Sequence, residues 1–135
     1  MISTLLIFSD WSILILRLVF GVIFLAHGWP KIKDLKVNSQ NFAMMGFKPG
    51  AFWGTIAAFV EFFGALALIV GLYTQVAALL IAIQMLVAAL WKMKNKQGLI
   101  GGYEFDLTLA AAALLLATLG GGLNSLDSYL RISLL

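Results

Sequence analysis

The sequence predicts an all-α, polytopic membrane protein: four transmembrane helices in an antiparallel bundle, with a short interfacial helix in the first loop. Three observations carry this. Hydrophobic residues make up 62% of the 135 and charged residues only 11%, less than half the roughly 25% of soluble domains. A soluble core of this size cannot hide so much apolar surface, so lipid is the solvent that fits. Next, four apolar runs are each long enough to approach or cross a hydrocarbon layer about 30 Å thick. Finally, the charges sort by side. Lys31, Lys33, Lys36, Lys48, Lys92, Lys94 and Lys96 fall on one side of such a bundle, leaving only Arg131 in the loops and tail of the other. The positive-inside rule makes the lysine-rich loops cytoplasmic and puts both termini outside. Trp29, Trp53, Trp91 and Tyr103 mark an aromatic belt at the lysine side, and Trp11, Tyr73 and Tyr129 mark one at the other.

The elements follow in order. Residues 1–8 are apolar but have no basic n-region and no small-residue cleavage site, so they read as an uncleaved start. Ser9 and Asp10 are good N-cap residues for a first span over 11–29, which Pro30 is expected to end. In the polar stretch 31–50, residues 38–45 suit a short interfacial helix with Phe42 and Met45 on one side and Gly46 after its end. Lys48-Pro49-Gly50 then reads as a turn. The second span is 52–72, interrupted only by Glu61. Gly71 and Thr74 read as a helix stop and a new N-cap, so the third span, 74–91, forms a tight hairpin with the second. Gln84 is its central polar group. GGYEFD at 101–106 leads into a fourth span over 104–120, ending at the glycines 120–122. The tail, 123–135, reads as a short amphipathic helix on the membrane surface. The whole is one membrane domain.

Composition excludes several classes of function. No cysteine is present, so the chain offers no disulfide, thiol nucleophile or thiolate metal site. No basic stripe interleaved with aromatics points to nucleic acid. The phosphate-loop, dinucleotide-binding and hydrolase motifs are also missing. One histidine without cysteine is a poor metal-ligand set, and no metal is expected.

What remains is a set of polar groups inside the bilayer. Arg17 lies about 9 Å into the first helix, and Glu61 and Gln84 lie near the midplane of theirs. An unpaired charge there costs about 2.5–3.5 kcal/mol on insertion scales. The expectation is a buried Arg17–Glu61 ion pair with Gln84 beside it. Gly54, Ala57, Ala58, Gly64 and Ala65 fall within about 60° of Glu61 on a 3.6-residue wheel, so Glu61 should face inward across a close helix contact. Arg17, Gly21, Phe24 and Gly28 form a similar stripe on the first helix. Asp106, Ala110, Ala113, Ala117 and Gly120 form one on the fourth. A second constellation, His27 with Tyr103, Glu104 and Asp106, lies at one depth near the lysine side. It can hold or relay protons at a bound headgroup, or serve as hydrogen-bonded structure with Asp106 favoured at a helix N-terminus.

The pattern resembles the DoxX family of small four-span membrane proteins. The resemblance rests on Leu16-Arg17, Gly21, Phe24 and His27-Gly28 followed by Lys31, and on Gly46-Phe47 before Pro49. It continues through Glu61, Gly64, Gly71 and Thr74, and through Gly101-Gly102-Tyr103-Glu104, Gly121, Ser125 and Asp127. It implies a four-helix bundle of the bacterial or archaeal inner (plasma) membrane. It also implies an association with a thiosulfate:quinone oxidoreductase subunit and with other membrane redox and oxidative-stress systems. Without cysteine, no thiol or persulfide step can run in this chain. Three functions follow. The first is a redox-associated subunit that binds a quinone or similar apolar ligand between its helices, with His27, Glu104 and Arg17 at the polar end and a soluble partner supplying electrons. The second is a non-enzymatic scaffold whose charges fix helix register. The third is a proton-coupled transporter using Glu61, with a homodimer supplying the pathway.

Overall fold

The computed structural model describes residues 4–132; residues 1–3 of the expected uncleaved start and 133–135 of the tail lie outside the described residues. Four helical segments are long and apolar enough to cross a membrane. The long helices are α1 (Ser9–Lys33), α3 (Gly50–Val70), α4 (Thr74–Lys94) and α5 (Glu104–Leu119), with α2 (Leu35–Met44) in the first loop and α6 (Leu126–Tyr129) in the tail. A 3-10 turn, Thr4–Phe8, precedes α1, and a wide turn, Leu99–Tyr103, precedes α5. The bundle runs α1, α3, α4, α5, each packed on the next. The outward faces are apolar and exposed, as in a helix bundle whose solvent is lipid.

The small-residue stripes do meet inside. Arg17, Gly21, Phe24 and Gly28 are buried on α1, and Gly54, Ala57, Ala58, Glu61 and Ala65 are buried on α3. Gly28 shows why: a Cβ there would stand 2.8 Å from the Phe62 nitrogen, so α1 and α3 touch backbone to backbone. In the half of the bundle away from the lysines, Phe20, Leu68, Ala78, Ile81, Ala113 and Leu116 fill the interior.

Four expectations about element ends are corrected. Helix α1 does not stop at Trp29 but runs through Pro30 to Lys33. Pro30 lies in the last turn, where its missing N–H costs one hydrogen bond and the carbonyl still accepts from Asp34 N at 3.2 Å. Asp10 is not the N-cap of α1; Phe8 holds that position, and the Asp10 carboxylate accepts from Leu123 N at 3.0 Å. Thr74 is the first residue of α4, and the cap is Asp127, whose two oxygens accept from Tyr73 N at 2.6 Å and Thr74 N at 2.8 Å. The described part of the tail, with its short helix α6, is therefore tied to the ends of α1, α3 and α4. In the first loop, α2 starts at Leu35 and not at Asn38, because the Asp34 side chain accepts from Val37 N and opens the helix earlier.

Arg17 explains why the tail folds back. Its guanidinium donates to Leu68 O at 3.3 Å and to Asn124 O. Leu68 O is among the last carbonyls of α3, which lack intrahelical partners, and a cation is favoured there by the helix dipole. Asp127, across the α3–α4 turn, supplies the opposing charge. Gly71 completes the turn at φ +72, with the guanidinium lying where its Cβ would be.

Asp127→Ala removes both acceptors from the start of α4 and the counter-charge from Arg17. It should cost about 2 kcal/mol, read as a lower thermal midpoint in mild detergent, with Asp127→Asn intermediate.

Candidate functional site

At the lysine-rich end the helices enclose a cavity of about 750 Å³. Its floor is the inner surface of the core, since Phe24, Met85 and Leu109 belong to both. Helix α2 crosses the mouth: Asn38 Nδ2 donates to Gly54 O at 2.7 Å, and Trp91 Nε1 on α4 donates to Met45 O at 2.8 Å. The walls are mostly apolar, with Phe42, Phe47, Trp53, Trp91 and Phe105 among them. Ile56, Leu80, Ile83 and Val87 line the cavity and are also exposed on the bundle surface, so it opens sideways toward hydrocarbon.

Two polar stations face this space. On the α1–α3–α4 side, Lys31 Nζ lies 2.6 and 2.8 Å from the two Glu61 oxygens, and Gln84 Nε2 donates to Glu61 Oε1 at 2.6 Å. Glu61 is buried, while the Lys31 side chain keeps 31% of its surface free. On the α4–α5 side, Lys92 Nζ pairs with Asp106 Oδ2 at 2.6 Å. His27 lies at the rim against Phe105, ring centroids 6.3 Å apart, and no hydrogen bond holds its ring among the described residues. The two ion pairs cancel in charge. The cavity is thus a neutral, apolar chamber with hydrogen-bonding groups at two places on its wall.

The expected Arg17–Glu61 pair does not form. Arg17 donates to Leu68 O and Asn124 O at the far end of the bundle, where Asp127 is the nearby opposing charge, and Glu61 takes Lys31 instead. Gln84 does stand beside Glu61, as expected. Of the second constellation, His27 and Asp106 line the cavity, whereas Tyr103 and Glu104 do not. The Glu104 carboxylate accepts from Gly101 N at 3.0 Å and braces the turn before α5. Among the described residues no cluster of three histidine, aspartate or glutamate side chains forms a metal-binding group.

The family model for DoxX matches residues 12–94, from α1 through α4. This chain belongs to the DoxX family. It is 30% identical over 116 residues to the Bacillus subtilis (strain 168) protein named "Putative oxidoreductase CatD", covering 86% of this chain and 84% of the relative. It is 32% identical over 126 residues to the Escherichia coli (strain K12) protein named "Inner membrane protein YqjF", covering 91% and 95%. No solved structure matches significantly. The DoxX match includes Lys31, Glu61, Gln84 and Lys92, leaving only the α5 wall outside it.

Lys31 and Lys92 are the site residues that sequence reasoning missed, and a signal for both existed. Lys31 stands three residues past Gly28 and continues the Gly21–Phe24–Gly28 stripe once Pro30 is allowed inside the helix. Lys92 stands three past Ala89, on the buried stripe of α4. Both read as loop residues in the sequence because lysine near a span end ordinarily marks topology.

Lys31→Met leaves Glu61 buried without its cation and should cost about 3–5 kcal/mol. The Lys31→Met/Glu61→Gln double variant should recover most of the loss. Thermal unfolding of the single and double variants in detergent measures both.

Proposed function

We propose that this DoxX protein is a redox-associated subunit of the bacterial inner membrane that holds a quinone or similar amphipathic ligand in the lysine-end cavity. The observation that carries the reading is the cavity itself. Its volume falls within the range of about 300–1,000 Å³ usual for small-molecule sites. Its apolar walls suit a ring and the start of an isoprenoid tail, and its sideways opening suits a ligand arriving from the bilayer. The residues present fit such a group: Lys31 and Lys92 can donate to oxygens, Gln84 and Asp106 can accept, and aromatic faces flank the ring.

A bound quinone would supply a two-electron carrier that moves within the membrane. This chain's own residues would bind it, keep water away and handle protons. His27 is the natural proton carrier, because its ring is free of other bonds and stands at the rim. Glu61, itself bonded by Gln84, holds Lys31 in place. The sequence has no cysteine and no dinucleotide-binding motif, so a soluble partner that supplies electrons is part of the proposal, and the five exposed lysines at that end (Lys33, Lys36, Lys48, Lys94 and Lys96) suit its approach. The proposed orientation makes this end cytoplasmic. A relative named as an oxidoreductase and another named as an inner membrane protein support the reading.

Protein purified from its native membrane in mild detergent and extracted with organic solvent should release near-stoichiometric quinone, identified by absorbance and mass. His27→Ala should release several-fold less while unfolding at the same temperature. An extract without quinone from folded protein would sink the proposal.

A further inference from the structure

The polar groups of the Lys31–Glu61–Gln84 station leave a definite remainder of unused hydrogen-bonding capacity. A carboxylate paired with an ammonium only accepts, so the Gln84 atom 2.6 Å from Glu61 Oε1 has to be the amide nitrogen. That chemistry fixes which end of the amide is which, and it leaves the Gln84 carbonyl oxygen without a partner among the described residues. Lys31 has three N–H groups, and the two Glu61 oxygens take at most two of them. The wall thus offers a cationic donor and a neutral acceptor that both belong to groups bonded to Glu61 Oε1, in a chamber that is otherwise largely apolar. Across the cavity Lys92 also has donor capacity to spare, since it makes an ion pair with Asp106 and one long hydrogen bond to Gly102 O at 3.4 Å.

We propose that the site recognises its ligand through a hydroxyl group, and that it binds the reduced, hydroxyl-bearing form of a quinone couple more tightly than the oxidised form. This rests on the quinone reading above and names the form selected. A hydroxyl oxygen accepts from Lys31 while its hydrogen is donated to the Gln84 carbonyl, so both groups are satisfied together. A quinone carbonyl also accepts from Lys31, but it has no hydrogen to give, and the Gln84 oxygen stays unpaired against the ligand. A site built to receive a donor discriminates against the analogue that lacks it. One neutral hydrogen bond made in one form and missing in the other corresponds to about tenfold in affinity. For a two-electron couple, tenfold tighter binding of the reduced form raises the bound potential by about 30 mV.

The test uses the full chain in lipid nanodiscs, with empty nanodiscs as the blank. These are equilibrated with decylubiquinone or, under argon, with decylubiquinol, and the bound amounts are measured after pull-down and extraction. The unmodified protein should hold decylubiquinol about tenfold more tightly. Gln84→Met, which keeps the volume and removes the acceptor, should bring the two affinities together by weakening the reduced form alone. Equal binding of both forms by the unmodified protein, or tighter binding of decylubiquinone, overturns the inference and leaves the quinone reading standing. Equal weakening of both forms in Gln84→Met overturns the assignment to Gln84. Retention of neither form above the blank overturns both readings.

Discussion

Inside a bilayer a polar group has only the protein to bond with, and that constraint arranges this molecule. Arg17, Glu61 and Asp106 are buried, and two devices answer them. Glu61 and Asp106 receive lysines from helix ends. Arg17 receives carbonyl groups from a helix terminus and from the tail. The two ends of the bundle consequently have different characters. The end away from the lysines is closed by a packed core and stitched by backbone hydrogen bonds. The lysine end keeps its charges around an open space.

The architecture was readable because each signal behind it spans many residues. Four apolar runs, one-sided lysines and two aromatic belts all agree, and the small-residue stripes place Glu61 and Asp106 toward the interior. Pairing was less readable, because it depends on where helices end. Pro30 reads as a helix stop, which leaves Lys31 outside the first helix, and the cost of an unpaired Arg17 at its depth then points to Glu61 as its partner. Depth estimates from residue counts could not correct this, since a long arginine side chain spans the difference on paper. The tail was harder still. Asp127 caps a helix more than fifty residues before it in the chain, and Asn124 contributes a carbonyl that carries no sequence signal.

The cavity follows from the same packing. Gly28 lets α1 lie directly on α3 at the level of Glu61 and Phe62, which delivers Lys31 to Glu61 one turn further on. Beyond that contact the chain leaves the line of α1 at Asp34, and α2 crosses toward Trp91. The inside of the bundle is left unfilled below this crossing. Close approach at one level and divergence at the next thus produce both the ion pair and the space it faces.

The carbonyl of Asn124 also bears on how the protein is made. Arg17 enters the membrane with the first helix, 107 residues before the carbonyl that accepts its hydrogen bond is synthesised. Leu68 offers an earlier bond, but only after the second long helix is inserted. During biogenesis the first helix must therefore be held across the bilayer by its apolar flanks alone. Its charge reaches a settled state only once the segment that carries Asn124 has been made.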